Sequence, residues 1–340
     1  MKPFISEQLS NHLTEQTTNQ IQTHMKHIAV PAVLLGAMAS QVMACDLCAV
    51  YSSAEASGQI GRGIFAGVAE QFTHFGTMQE DGQKVPNEVN QWMDSYITQV
   101  FAGYNFNNRV GVQLNVPLIS RSFRRPEGFA IDHGTESGIG DILLTGHLNA
   151  YRYEEMDTTF SWNLLGGIKL PTGDSGRIAE ELNEVEVPGA PESGIHGHDL
   201  TLGSGSVDGL VGSSVYARSK RLFFGASVQY AIRTEGDYNY QFANDLTWSG
   251  GPGVLLALKD DYTISLQANC TGETKGKDTF AGEKAVDTGI TSVYLGPEIV
   301  ATWKDKLSAE LGLDLPVSID NTALQLVPDY RVRAALTWHF

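Results

Sequence analysis

The last thirteen residues place the strictest limit on the fold of this chain. One parity of the segment 328–340 carries Tyr330, Val332, Ala334, Leu336, Trp338 and Phe340. The other parity carries Arg331, Arg333, Thr337 and His339, with Ala335 as the apolar exception. This two-residue period predicts a β-strand with one apolar and one polar face. The segment is long enough to cross a bilayer when tilted, so we expect one face to meet lipid and the other to line a wet lumen.

Composition restricts the class further. The chain has 340 residues, of which 42% are hydrophobic, and its mean hydropathy of −0.15 is too polar for a helical membrane protein. Its net charge is −16 and it has no cluster of Lys and Arg, which excludes a nucleic-acid partner. The 36 glycines, regular turns and alternating segments favour a β-barrel.

The N-terminal region has the composition of a targeting segment. Met25-Lys26-His27 precedes an apolar run from 28 to 39, and Val42-Met43-Ala44 follows. This pattern predicts a secretory signal peptide at 25–44, with the mature chain beginning near Cys45. Residues 1–24 are polar and aperiodic, and we interpret them as a non-native or disordered extension. We expect a periplasmic segment at 45–61 and a barrel at 62–340.

Twelve candidate strands follow the signal peptide. They lie near 62–75, 94–106, 109–122, 139–152, 157–170, 206–218, 221–234, 245–258, 261–271, 289–303, 306–318 and 328–340. Their connections alternate between short turns and long loops, the latter at 76–93, 123–138, 171–205, 235–244, 272–288 and 319–327. The predicted fold class is all-β, a single transmembrane antiparallel β-barrel of about 12 strands in the outer membrane of a Gram-negative bacterium. A soluble sandwich has shorter strands, typically of about five or six residues.

The polar parity supplies the candidate site residues. They are Asp141, His147, Lys169, Arg233, Glu298, Glu310, Asp314, Arg331 and Arg333. Because the last two strands are adjacent, we expect Glu310 and Asp314 to face Arg331 and Arg333. Two interpretations stay open at this point. The charges form either a structural ladder of ion pairs or a constriction that selects a passing solute.

Two further segments are candidates for a metal or a disulfide. The loop 171–205 is acidic and contains His196, His198 and Asp199, a combination that can ligate a transition metal. The alternatives are a solvated loop at the cell surface and a segment folded into the lumen. Cys45 and Cys48 form a Cys-x-x-Cys pair, which predicts a periplasmic disulfide, a redox pair or a metal site. We expect no other cofactor. No nucleophile and base stand in a catalytic pattern, so we expect no enzyme activity.

Three segments carry a resemblance to a known family. They are SGIGDILLTGHLNAYR (137–152), LLGGIKLPTGDSG (164–176) and LGSGSVDGLVGSSVYARS (202–219). As a set they resemble the outer-membrane transporter family named for the meta-pathway of phenol degradation. The resemblance implies a barrel that acts as a transporter or channel, and the phenol association comes from the family's name alone. The terminal Phe340 resembles the residue by which the assembly machinery reads outer-membrane proteins.

The sequence therefore predicts an outer-membrane transporter or channel for a small solute, without catalysis. The alternative is a structural or binding barrel that uses its acidic loops or Cys45 and Cys48 for a metal ion or a periplasmic partner. In both cases the partners include the lipid of the outer membrane and, through Phe340, the barrel-assembly machinery.

Overall fold

The computed structural model describes residues 62–182, 187–304 and 306–340. The interpretations of 1–24, 25–44 and 45–61, with Cys45 and Cys48, lie outside the described residues. In the described segments, no helix is both long and apolar enough to cross a membrane.

Strands account for most of the described chain. In order they are β1 (Gly63–Glu80), β2 (Gln83–Lys84), β3 (Trp92–Asn105), β4 (Val110–Glu127), β5 (Ala130–Ile139), β6 (Ile142–Glu155), β7 (Thr158–Leu170), β8 (Asp208–Ser219), β9 (Leu222–Ile232), β10 (Tyr240–Gln241), β11 (Asp245–Leu258), β12 (Tyr262–Lys275), β13 (Thr279–Phe280), β14 (Glu283–Lys284), β15 (Ile290–Trp303), β16 (Leu307–Asn321) and β17 (Leu324–His339). The helical segments are a 3-10 turn at Gly176–Leu182, the short helix α1 at Gly197–Leu200 and a 3-10 turn at Asp237–Asn239.

Twelve of these strands form a closed antiparallel barrel. Its order is β1, β3, β4, β6, β7, β8, β9, β11, β12, β15, β16 and β17, and β17 pairs with β1 to close it. In the closing pair Val68 lies opposite Leu336, and Gln71 lies opposite Arg333. The predicted fold class and strand count are confirmed. We call the end with short connections the turn end and the opposite end the loop end.

The two faces of the wall differ as the parity predicts. On β4 the side chains of Val112, Leu114 and Leu118 are 38%, 45% and 44% exposed, whereas Asn115 and Ile119 on the opposite parity are each 2% exposed. The exposed set points outward and the buried set points into the lumen. Apolar side chains on the outside of a closed barrel are in contact with lipid in a membrane.

The expectation of a loop at 123–138 is wrong. Strand β4 continues to Glu127, and β5 returns alongside it to form a hairpin with a turn at Gly128, whose φ is +57°. The alternation of apolar residues stops here, which suggested a loop. A two-stranded ribbon that stands beyond the membrane can have water on both faces, so its backbone pairing persists without an apolar side.

The loop expected at 319–327 is also shorter than predicted. Strand β16 runs to Asn321 and β17 begins at Leu324, so two residues connect them. The second, Ala323, has a φ of +52°. Neither residue belongs to the glycine and asparagine class that usually marks such a tight turn, which explains why no turn was predicted between them.

One carboxylate interrupts the outward apolar face. Glu70 on β1 points outward and accepts a hydrogen bond from Thr98 Oγ1 on β3. Thr98 is midway along β3 between the aromatic residues Trp92 and Tyr104, so Glu70 lies near the middle of the apolar belt. Charged groups at this depth on a lipid-facing wall are destabilising.

We therefore expect Glu70→Leu to stabilise the barrel. Removal of the lipid-facing carboxyl should raise the free energy of unfolding in detergent micelles by about 1–2 kcal/mol. Urea titration followed by tryptophan fluorescence measures the change, and Glu80→Leu at the exposed loop end of β1 is the control. A loss of stability in Glu70→Leu would show that this carboxylate has a partner in the membrane.

Candidate functional site

All nine lumen candidates occupy inward positions of the wall. Seven of them belong to two groups of ion pairs, one at the loop end and one on β15, β16 and β17, and Arg331 pairs separately with Glu273 on β12. The ninth, His147, lies apart from both groups on β6, where it is opposite Gly111 on β4 and Leu165 on β7.

The loop-end group alternates in sign from strand to strand. Lys169 Nζ lies 2.6 Å from Asp141 Oδ2 and 2.7 Å from Asp208 Oδ2. Arg233 continues the series, with Nη1 3.0 Å from Asp208 Oδ2 and Nη2 2.6 Å from Asp245 Oδ2. We call these five residues the charged arc. All five are buried, and each charge lies beside one of the opposite sign, with three acids to two bases.

The second group is centred on Arg333. Its Nε lies 2.9 Å from Asp314 Oδ2, and its other nitrogens lie 3.2 Å from Glu298 Oε2 and 3.8 Å from Glu310 Oε1. We call Arg333 and these three acids the arginine cluster. The neighbouring register places Gly312 opposite Arg333, and the missing side chain leaves room for the guanidinium.

Arg331 has a different partner from the expected one. Its Nη2 lies 2.8 Å from Glu273 Oε2 on β12, and its guanidinium carbon lies 4.6 Å from the centre of the Tyr294 ring. Glu273 is two strands beyond β16, so adjacency along the sequence did not reveal it. The sequence signal that could have identified Glu273 is its inward-facing position on β12, a strand with few other charged residues.

A segment of the loop after β7 crosses the loop end of the lumen. We call residues 194–204 the lid. Ile195 and Leu200 of the lid are almost completely buried. They pack in one apolar cluster with side chains of β1, β3, β4 and β17, namely Phe75, Met78, Met93, Phe123 and Leu326. Leu326 also donates its N–H to the carbonyl of Gly194 at 2.9 Å.

Two charged side chains of the wall hold the lid backbone. Arg121 Nη1 donates to the carbonyls of Asp199 at 2.7 Å and Thr201 at 2.6 Å. Asp141 accepts from the N–H groups of Gly173 at 3.0 Å and Ser204 at 2.9 Å. Asp141 therefore has two roles, since it fixes both ends of the loop and belongs to the charged arc.

Aromatic stacking connects the lid to the opposite side of the barrel. The His198 ring stacks on His196, with centroids 5.6 Å apart, and on Tyr240, with centroids 6.1 Å apart. Tyr240 lies in the connection between β9 and β11, is 1% exposed, and packs with Ile178 and Phe242. Its hydroxyl donates to Asp278 Oδ2 at 2.7 Å. The lid is thus part of a continuous packed layer across the loop end.

The proposed ligands His196, His198 and Asp199 lie together but have protein partners. His198 Nδ1 is 2.9 Å from Glu181 Oε1, and His196 Nε2 is 3.5 Å from Asp287 Oδ2. Asp199 Oδ2 accepts from the N–H of His196 at 2.9 Å, which caps α1. Across residues 62–182, 187–304 and 306–340, no three His, Cys, Asp or Glu side chains form a group able to hold a metal ion.

Electrostatics favours a charged pair between His198 of the lid and Glu181 of the preceding 3-10 turn. Burial of the His198 ring opposes its charge, but Asp199 and Glu181 outweigh burial and raise the pKa of His198 from 6.5 to about 10. Burial also opposes ionisation of Glu181, but His198 lowers the pKa of that carboxyl from 4.5 to about 2. Burial raises the pKa of Tyr240, so its hydroxyl stays protonated.

These shifts predict that alkaline pH loosens the lid. Stabilisation from His198 is complete below its ordinary pKa of 6.5 and is lost as the pH rises to about 10. Stabilisation from Glu181 is present above 4.5 and is lost as the pH falls towards 2. Conductance in planar bilayers should therefore rise between pH 7 and pH 10, and His198→Gln should remove this rise. An identical pH profile in the variant would contradict the assignment.

An interior cavity lies between β3 and β9. It is lined by charged side chains of the arc, by amides, and by apolar side chains. The charged ones are Asp141, Lys169, Asp208 and Arg233, the amides are Gln99, Asn115 and Gln229, and the apolar ones are Pro117, Leu143, Leu210 and Ala231, together with Gly209. Sequence parity indicated that these side chains face inward, but it did not show that the curved wall brings them around one space.

Comparison with solved structures supports this architecture. The COG4313 outer membrane channel from Pseudomonas putida F1 superposes with a TM-score of 0.58 and 13% identity, over 82% of this chain and 96% of that chain. This chain has the fold of an outer-membrane β-barrel. At this identity the likeness concerns the fold alone.

Two further barrels are less similar. The beta domain of the Bordetella autotransporter BrkA has a TM-score of 0.42 and 10% identity, over 81% of this chain and 99% of that chain. The CymD monoaromatic hydrocarbon channel has a TM-score of 0.36 and 7% identity, over 83% and 90%. Neither a protein-family model nor a curated protein matches the chain.

Proposed function

We propose that this protein is an outer-membrane channel that passes a small solute and performs no catalysis. The observation that carries the proposal is the cavity inside a closed barrel, lined by charged, amide and apolar side chains and beside a loop segment that covers one end. Small-molecule sites combine apolar lining with a few placed polar groups in this way. A barrel that only anchors a partner needs no interior space of this kind.

The orientation follows from the connections. Outer-membrane barrels place short turns in the periplasm and long loops outside the cell, so the lid faces the exterior. Phe340 is at the turn end and is 72% exposed, which suits recognition of the last strand by the assembly machinery from the periplasmic side.

The finer family assignment is also a proposal. The three resembling segments contribute Asp141, Lys169 and Asp208, and Lys169 bonds both of these acids. The motifs thus converge on one feature that holds the loop end together. This convergence supports membership of the transporter family named for the meta-pathway of phenol degradation, without indicating an aromatic solute.

A second candidate function is a plugged barrel that serves as an anchor or binding module. The arginine cluster supports it, because buried ion pairs fill that part of the lumen. In this version the Cys45 and Cys48 pair would bind a metal ion or a periplasmic partner.

Single-channel recording in planar bilayers separates the two functions. A gated channel gives brief openings in the intact protein and larger, longer ones when the lid is removed. A plugged barrel stays silent in both forms, although it inserts and resists detergent. The lid variant is designed in the Discussion.

A further inference from the structure

The four charged side chains that line the cavity are two acids and two bases, so their formal charges cancel. Lys169 lies between Asp141 and Asp208, and Arg233 lies between Asp208 and Asp245. A cationic solute would have to displace Lys169 or Arg233 from its acids, and an anionic solute would have to displace an aspartate. Breaking a buried pair leaves an uncompensated charge, so either exchange is strongly unfavourable. The cavity therefore disfavours ions of both signs.

One side of the cavity is apolar. Leu143, Leu210 and Ala231 come from inward positions of β6, β8 and β9, and Leu210 and Ala231 pair with each other across the strands. Leu210, Ala231 and Leu165 form a buried apolar cluster against which Leu143 packs. This surface can bury the hydrocarbon part of a solute, which is favourable in proportion to the area removed from water.

The amides supply the polar contacts. Gln229 is 4% exposed, and its Oε1 has no hydrogen-bond partner among the described residues. Gln99 is 5% exposed and also lines the cavity. Asn115 Oδ1 accepts from Gln113 Nε2 at 2.7 Å, so it is already oriented. A buried acceptor without a partner is costly, and a ligand that donates a hydrogen bond to it removes that cost.

We propose that the cavity binds one uncharged solute that has an apolar body and a hydroxyl or amide donor. The donor bonds Gln229, and the body lies against Leu143, Leu210 and Ala231. This inference rests on the proposed function, since it names the class of solute that the channel passes. It assigns Gln229 as the residue that distinguishes an alcohol from the corresponding hydrocarbon.

A matched series of probes tests the inference. The probes are cyclohexanol, methylcyclohexane, cyclohexylammonium and cyclohexanecarboxylate, which have similar bodies and differ in charge and donor. Equilibrium binding to the protein in nanodiscs should be strongest for cyclohexanol, with each charged analogue bound about tenfold more weakly or worse. Equal binding of either ion would overturn the proposal.

The residue assignment has its own variants. Gln229→Leu should weaken cyclohexanol binding about fivefold to tenfold and leave methylcyclohexane unchanged. Gln267→Leu is the matched control, because Gln267 also faces the lumen but donates to the Gly251 carbonyl and lies outside the cavity. Asn115→Leu provides a second cavity variant if Gln229→Leu does not fold. Unchanged cyclohexanol affinity in a folded cavity variant would refute the assignment.

Recording from the same preparations separates the two proposals. If the barrel is silent in bilayers but prefers cyclohexanol, transport fails as a function and the binding site stands. If it conducts and shows no preference among the four probes, the channel stands and the solute class is wrong.

Discussion

Replacing residues 176–200 by a short glycine bridge should turn a nearly silent barrel into an open pore. The lid then loses Ile195, His198 and Leu200, which are the side chains that connect it to both walls. We expect the mean single-channel current to rise several-fold, because the deletion removes the segment that packs against β1, β3, β4 and β17 on one side of the lumen and against Tyr240 on the other. This is the largest functional effect that the structure predicts.

The geometry makes this deletion practicable. Leu202 donates its N–H to the carbonyl of Asp174 at 3.0 Å, so the residues that flank the deleted segment are already in contact. The contacts of Asp141 with Gly173 and Ser204 remain in the shortened chain. The barrel strands are therefore expected to keep their pairing, which heat-modified mobility on gels can verify.

A single substitution gives a milder version of the same test. Arg121→Met removes the donor to the Asp199 and Thr201 carbonyls, and bonds from a charged donor are each worth about 1.5–3 kcal/mol. Because 1.4 kcal/mol is a factor of ten, the ratio of open to closed lids should rise roughly tenfold or more. Arg124→Met is the control, since Arg124 lies on the outward side of β4 and bonds the Asn90 carbonyl instead. A folded deletion variant with unchanged current would favour the plugged barrel.

Arg333→Met should produce the largest loss of stability. Arg333 is 5% exposed and neutralises a site that contains Asp314, Glu298 and Glu310. Removal of one partner from a buried pair typically costs about 3–5 kcal/mol, because the remaining charges have no compensation. Urea unfolding in micelles should show a midpoint shift of this size.

A double-mutant cycle identifies the cause of that loss. If uncompensated charge is responsible, Glu298→Gln in the Arg333→Met background should recover part of the stability, although Glu298→Gln alone should be destabilising. Additive losses would instead indicate that Arg333 acts through packing over Gly312. Arg152→Met at the turn end is the control, since Arg152 pairs with Glu154 on the exposed rim.

The sequence predicted the strands of the barrel wall more completely than the side-chain contacts inside the lumen. A period of two is a property of each strand by itself, so β4, β7 and β17 could be located without knowledge of their neighbours. Ion pairs between adjacent strands, such as Arg333 with Asp314, also followed from chain order. The pair of Arg331 and Glu273 skips strands, and its formation depends on the curvature of the lumen.

The lid was not predicted from the sequence for a related reason. The loop 171–205 is acidic, so its composition did not decide between a solvated loop and a segment folded into the lumen. Its apolar residues are few and lack a period, yet Ile195 and Leu200 meet a preformed apolar surface. Burial of a loop inside a barrel depends on where its ends are anchored, and Asp141 provides that anchor from another strand.

The pairing of β1 with β17 has a consequence for biogenesis. These strands stand at opposite ends of the barrel sequence, so the contact that seals the wall has the largest sequence separation of the pairings among the described strands. Until the final strand arrives, both flanks keep unpaired backbone groups that hydrocarbon cannot satisfy. Insertion and sealing must therefore be concerted, and a chain truncated before Leu324 would remain an aggregation-prone open ribbon.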